Sequence, residues 1–330
     1  MELSVVIPVY NEEPNVEALG ERLHAALSGM DRATEVLLVD DGSTDGTWAK
    51  LRAVAERYPR FRLIRLRRNF GQTAAMSAGI AHARGETIVM LDADLQNDPA
   101  DIPRLLAEMT PEVDVVSGWR RDRKDPFFTR RLPSMIANWL ISRITGVALH
   151  DYGCTLKAYR REVLQNVRLY GEMHRFVPAL ASWVGGGIRE VEVRHYPRRF
   201  GVSKYGLSRT LRVILDLITV KFLLRYSLGP MQMFGKIGAA FAVPGALMLG
   251  GMVLAHLSFR LFGTAFAADL IKRPFWVVTS FVLIFMGMQF FSTGLLAEMQ
   301  IRTYHEAQDK ATYVVREVVE PAGEAGTGDG

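Results

Sequence analysis

Two aspartates one residue apart, Asp92 and Asp94, follow directly on an apolar run, Ile88 to Leu91, within VMLDADLQNDP (89–99). In extended backbone, residues two apart point to one face, so both carboxylates share a side. Like charges that close repel, and the pair persists as a dianion when a cation sits between them. A solvated loop with an Asx-turn would give the same spacing without any chemistry. The neighbouring segments decide between the two.

Those segments put more polar groups at equivalent points. LSVVIPVY (3–10), EVLLVDD (35–41), FRLIRL (61–66), ETIVMLD (86–92) and VDVVSG (113–118) read as buried strands. Amphipathic segments at 15–27, 44–57, 72–83 and 99–109 alternate with them, which predicts an α/β domain with a mainly parallel, doubly covered sheet. In such sheets ligands bind beyond the carboxyl ends of the strands. Tyr10-Asn11-Glu12 stands there after the first strand, Asp40-Asp41-Gly42-Ser43 after the second and Asp92-Ala93-Asp94 after the fourth. Ser43 or Thr44 is also placed to cap the next helix. Neither a G-x-G-x-x-G after the first strand nor a G-x-x-x-x-G-K-[ST] occurs, so the dinucleotide fingerprint and the P-loop are excluded. Gly185-Gly186-Gly187 predicts a turn before a strand over 188–196.

Composition divides the chain. The 330 residues are 49% hydrophobic and 23% charged on average, but residues 1–205 read as an ordinary soluble domain while 231–297 is strongly apolar. A formal charge of +5 gives no argument for a nucleic-acid partner. The one cysteine, Cys154, excludes an internal disulfide and fits a reducing compartment. MELSVVIPVY reads as a strand start and not as a signal peptide, so the first domain is expected to stay in the cytosol.

Two stretches, 234–259 and 275–297, each offer about the ~20 apolar residues that span a bilayer. Lys236 can snorkel, Trp276 suits an interfacial belt, and Pro244 is tolerated in a membrane helix. The short linker between them makes a transmembrane hairpin over 231–298. Before it, 206–230 carries Arg209, Arg212, Lys221 and Arg225 among apolar residues, as an amphipathic helix on an anionic surface would. A basic helix packed on the domain would read alike. The basic bias favours the cytoplasmic side, giving a multi-pass protein of the inner membrane with its domain in the cytoplasm. Residues 299–330 form a tail with a polar, disordered end; its ATYVVREVV (311–319) is β-prone and could pair with the domain or with a second subunit in a homo-oligomer.

VVIPVYNEE, VDDGSTDGT, the N-F-G-Q-x-A-A-x-x-A-G segment (69–79) and MLDADLQNDP together resemble glycosyltransferase family 2, over residues 3–205 in order. They are most similar to its polyprenyl-phosphate branch, the dolichyl-phosphate mannose synthase-like enzymes with a two-helix bacterial subgroup. The resemblance implies a GT-A nucleotide-sugar-binding domain and a Mg²⁺ or Mn²⁺ ion at the D-x-D. It makes Asp94 the direct ligand, Asp92 a support of metal or ribose, and Gln96 the third metal-side position. Pro8, Tyr10, Glu12, Asp41 and Ala93 would hold the nucleotide sugar, with Asn69–Gly71 nearby and Asp40 structural.

On the acceptor side the resemblance implies that Arg120, Arg130, Ser134 and Arg199 grip lipid phosphate or donor diphosphate, with Arg121, Arg131, Arg198 and Lys204 beside them. Asp94, Asp92, Arg120 and Arg199 would carry catalysis. A polyprenyl phosphate is already an anion, so it needs cationic positioning more than a general base. Arg forks suit that task. The segment 150–159, HDYGCTLKAY, departs from the family pattern: Asp151 is the equivalent of a common carboxylate, and Lys157 stands where related sequences often have arginine. His174-Arg175 resembles an acceptor-side element; His150, His195 and Cys154 read as structural.

The expected reaction is inverting, metal-dependent transfer of one sugar from a UDP-glucose- or GDP-mannose-type donor to undecaprenyl phosphate, in cell-envelope synthesis. A processive polysaccharide synthase is the alternative enzyme, but no Q-x-x-R-W motif or further membrane helices are present. A non-catalytic membrane adaptor with a decayed nucleotide site is the alternative of another class.

Overall fold

The structure, a computed structural model, describes residues 1–121, 132–165, 175–183, 185–197, 230–263, 274–307 and 313–320. Arg130, Arg131, His174, Arg198, Arg199, Lys204 and the amphipathic segment up to residue 229 lie outside the described residues. The chain divides into two compact units, 1–220 with 311–330, and 221–310.

In the first unit the apolar runs become β1 (Leu3–Val9), β2 (Thr34–Asp40), β3 (Phe61–Leu66), β4 (Thr87–Met90) and β5 (Val115–Trp119). They alternate with α1 (Val16–Ser28), α2 (Thr47–Arg57), α3 (Gln72–His82) and α4 (Ile102–Ala107). Then come α5 (Leu132–Thr145), β6 (Lys157–Arg160), α6 (Arg161–Gln165), α7 (Val177–Trp183), β7 (Ile188–Glu192) and β8 (Val315–Val319). All eight strands form one sheet in the order β7-β5-β6-β4-β1-β2-β3-β8. Strands β4, β1, β2 and β3 are neighbours and parallel. Every residue of β2 is buried, as a strand covered on both faces must be.

Two features differ from the sequence expectation, and a third, β6, had no expected counterpart. β6 runs antiparallel between β4 and β5, so its first residue lies at the rim where they end. The strand expected over 188–196 stops at Glu192. α2 begins at Thr47, behind Gly46, and neither Ser43 nor Thr44 caps it; their polar atoms bind Asn11 instead. The backbone N–H of Asn11 donates to Ser43 Oγ (3.0 Å), and the N–H of Thr44 donates to Asn11 Oδ1 (2.9 Å).

β8 pairs antiparallel with β3 along the sheet edge. Beside it, Arg62 forks onto both carboxylate oxygens of Glu320, at 2.9 and 2.8 Å. Arg62 also donates to buried Glu35 at 2.7 Å, and Glu35 in turn accepts from Ser4 and the N–H of Arg84. A guanidinium this deeply buried is tolerable only with its charge paired and its donors used.

The second unit holds two long helices, Pro230–Phe262 and Pro274–Ala307. Their apolar stretches, Met231–Leu261 and Pro274–Ala297, are long enough to cross a membrane, and most of their residues are open to the surroundings, unlike those of a soluble core helix. The first continues through Pro244. The two pack at small residues: a Cβ on Gly287 would stand 2.6 Å from that of Ala242 and 2.7 Å from the Gly238 carbonyl. Such close approach is what holds helices together where lipid supplies no hydrophobic drive.

Candidate active site

Because β4, β1, β2 and β3 are adjacent and parallel, the loops that follow them form one continuous rim. It presents in turn the 92–96 segment, Tyr10–Glu12, Asp40–Ser43 and Asn69–Gly71. The two described non-glycine residues with positive φ, Asn11 (52°) and Leu95 (61°), both sit on this rim. Backbone held in that region costs energy, and it clusters where a site needs a fixed shape. Gly42, at φ 66°, is required twice over, since a Cβ there would lie 2.4 Å from the Arg68 backbone.

Asp40 and Asp41 divide their work. Asp40 is fully buried, accepts from the Ser43 N–H at 3.0 Å, and faces Arg65 at 3.3 Å, a structural role. Asp41 accepts from the N–H of Phe70 (2.8 Å) and of Gly71 (2.9 Å), one on each oxygen, so it fixes the Asn69–Gly71 loop. Burial raises its pKa against those bonds. Each oxygen keeps a lone pair for a further donor. Glu12 accepts from Asn15 Nδ2 at 2.6 Å, while its N–H donates to Thr47 Oγ1. Pro8 and Tyr10 are partly exposed beside it.

At the D-x-D, Asp92 is partly exposed, whereas Ala93 and Asp94 are buried. Burial and the neighbouring Asp94 push the Asp92 carboxyl up to about 6. Gln72, at the start of α3, donates through Nε2 to Asp92 Oδ1 at 2.8 Å and orients it. Asp94 Oδ1 accepts from the Gln96 N–H at 3.1 Å, closing a turn on itself. Gln96 Nε2 is 3.4 Å from the Tyr196 carbonyl. Among the described residues no group of three or more His, Cys, Asp or Glu side chains could hold a metal alone. The residues nonetheless fit a hard divalent ion that keeps other ligands: two close carboxylates repel until a cation relieves them, and Mg²⁺ or Mn²⁺ completes its shell with phosphate and water.

Antiparallel β6 brings a second cluster to the same rim. Arg120, just past β5, donates to Asp151 through Nε (2.7 Å to Oδ2) and Nη2 (3.0 Å to Oδ1). Asp151 also accepts from the backbone of Arg120 and Gly153. Gln72, Asp92, Tyr152, Thr155, Lys157 and Arg175 line a narrow recess there. Cys154 is buried, its thiol pushed up to about 11 by desolvation, which suits packing. Arg121 instead pairs with Glu192, and His150 with Glu190. Ser134 stands half-buried in the first turn of α5. The approach of Lys157 to Asp92 was not legible in the sequence, because a four-residue strand gives no direction.

A mainly parallel sheet whose strand-end loops converge on paired carboxylates, beside an Arg-carboxylate cluster, defines an α/β fold of the GT-A type. Comparison with known proteins agrees. Residues 4–168 match the model of glycosyl transferase family 2, and the chain belongs to that family. It is a glycosyltransferase. It is 46% identical to a dodecaprenyl-phosphate galacturonate synthase of Rhizobium johnstonii, over 98% of this chain and 95% of that protein. It is 39% identical to an undecaprenyl-phosphate 4-deoxy-4-formamido-L-arabinose transferase of Sodalis glossinidius, over 96% and 94%. Among solved structures, a glucosyl-3-phosphoglycerate synthase of Mycobacterium tuberculosis, determined with Mn²⁺, UDP and glucosyl-3-phosphoglycerate, superposes with a TM-score of 0.53. At 19% identity over 68% of this chain and 79% of that one, the likeness is one of fold.

Proposed function

We propose that the protein transfers one sugar, with inversion, from a nucleotide sugar to a polyprenyl phosphate at the cytoplasmic face of the inner membrane. The observation that carries this reading is a carboxylate-lined strand-end rim on a chain that also holds two membrane-length helices. The relatives' names support the acceptor: both act on polyprenyl phosphates, one with galacturonate and one with a formamido-arabinose.

In this reading Asp92, Asp94 and Gln96 would hold a Mg²⁺ or Mn²⁺ ion beside the donor diphosphate. When bound, the ion neutralises charge that develops on the departing nucleoside diphosphate. Tyr10 stacks on the base, Glu12 accepts from ribose hydroxyls, and Asp41 uses its remaining lone pairs for the base edge while holding the Asn69–Gly71 loop. Pro8 and Ala93 shape the same surface. Arg120, Arg130, Ser134, Arg199 and Lys204 receive the lipid phosphate. Its ionised oxygen attacks the anomeric carbon as the bond to the nucleoside diphosphate breaks on the opposite side. No proton has to be removed from the nucleophile, so positioning of two anions by fixed cations is the main demand.

The test is transfer of radiolabelled sugar to undecaprenyl phosphate by the purified full chain in detergent, with Mg²⁺ or Mn²⁺, across UDP- and GDP-sugars. A lipid-linked monosaccharide is expected. Absence of lipid product from every donor, in protein that still binds UDP or GDP, would end this reading and favour the adaptor.

A further inference from the structure

The recess beside Asp92 contains a cation that the reaction described above does not use. Lys157 opens β6, in register with Met90 of β4 and Ser117 of β5, and is 3% exposed. Among the described residues its ammonium makes one hydrogen bond, to the Tyr152 carbonyl at 3.0 Å, and no ion pair. An ammonium carries three donors, so two remain for a ligand. Arg175 lines the same recess and adds a second positive charge. Desolvation pushes the Lys157 pKa down to about 8, the signature of a cation buried with too little compensation. Asp151 opposes that shift without cancelling it, and an anion entering the recess would offset more of the cost of burial.

Size narrows the choice of anion. The recess is narrow, about 20 Å³, so it suits a small substituent and not a whole sugar ring. What enters is one small substituent of a larger molecule whose body lies outside. Asp92, the first residue of the D-x-D, lines the recess, so that body is whatever sits over the paired aspartates. Resting on the transferase reading, which sets the donor diphosphate over those aspartates, this makes the body the nucleotide sugar, and its part nearest the diphosphate that can carry a small charged substituent is the sugar ring. We infer that Lys157 is a specificity-determining residue, and that the donor is a nucleotide-linked hexuronic acid whose carboxylate enters the recess. A neutral hydroxymethyl in the same place would leave the ammonium without its counter-charge.

The experiment compares kcat/KM for UDP-galacturonic and UDP-glucuronic acid with UDP-galactose and UDP-glucose, using the full chain in detergent with undecaprenyl phosphate and Mn²⁺. One charge-assisted contact predicts a preference of roughly 10- to 100-fold for at least one uronate over its neutral counterpart. Lys157→Met should bring that ratio towards one, chiefly by lowering uronate transfer, while Lys157→Arg keeps part of it. Neutral hexose, or a UDP-linked formamido-pentose, transferred better than both uronates by the wild type overturns the inference and leaves the transferase reading intact. No lipid product from any donor overturns both. If Lys157→Met does not fold, the wild-type donor ratio decides alone.

Discussion

Arg120 reaches the rim already tied to a carboxylate, and this shapes what it can do. Two charge-assisted bonds to Asp151 fix its guanidinium, and Asp151 is itself buried and anchored by the Arg120 and Gly153 N–H groups. A fixed arginine meets a ligand without losing rotamer freedom at the moment of binding. Asp151→Asn should therefore lower kcat/KM by roughly 10- to 100-fold, with the acceptor KM rising more than the donor KM. A purely structural role would lower the melting temperature and leave that ratio unchanged. Asp94→Ala should abolish transfer while the protein still folds, as seen in an unchanged circular dichroism spectrum. The Asp92 pKa sets a pH window. Burial and Asp94 raise it to about 6, above the ordinary carboxyl value, so the fold holds this proton more tightly than the unfolded chain does. Its own contribution thus favours the metal-free fold as pH falls through 6, while the same proton competes with a cation. The Mn²⁺ concentration needed for UDP-dependent thermal stabilisation should rise about tenfold from pH 7.5 to pH 5.

At the scale of elements, the strands that were legible in the sequence are those buried on both faces. β1 and β2 carry the runs VVI and VLLV and β3 alternates arginines with apolar residues over six positions, and each formed within a residue or so of its expected limits. β6 did not read that way. Its KAYR places a lysine and an arginine in four residues, and Lys157 is buried for a local reason that periodicity cannot show. Hence the D-x-D rim was legible and its second wall was not. β8 lies between these cases: its VREVV was legible as β-prone, but only the fold shows that β3 accepts it. The ion network at that edge makes a separate prediction. Glu35→Ala would strip Arg62 of its buried partner and leave Ser4 and the Arg84 N–H without an acceptor. A loss of about 3 to 5 kcal/mol is expected, read as a large drop in melting temperature. Glu320→Ala removes the exposed half of the pair and should cost less, about 1 kcal/mol.

For the whole molecule, connectivity constrains topology more firmly than charge counting does. The chain passes through two membrane-length helices between the sheet's seventh strand and its eighth, and β8 hydrogen-bonds to β3. Strands of one sheet lie on one side of a bilayer, so the number of crossings between β7 and β8 must be even. Two crossings satisfy this, while one helix spanning and the other lying on the surface would not. The basic residues near the helices gave a weaker vote, because Arg260, Lys272 and Arg273 stand at the far end and oppose Lys236 and the residues before it. Reporter fusions separate the alternatives. A reporter inserted after Gly263 should report the periplasmic side, and one placed after Gly330 the cytoplasmic side with the N-terminal domain. Matching signals from both positions would mean that the helices do not span as a hairpin. The same hairpin should depend on Gly287, where any side chain meets Ala242 and the Gly238 carbonyl. Gly287→Leu should part the two helices and lower the detergent melting temperature, whereas Gly250→Leu, which meets nothing within 4 Å, should not.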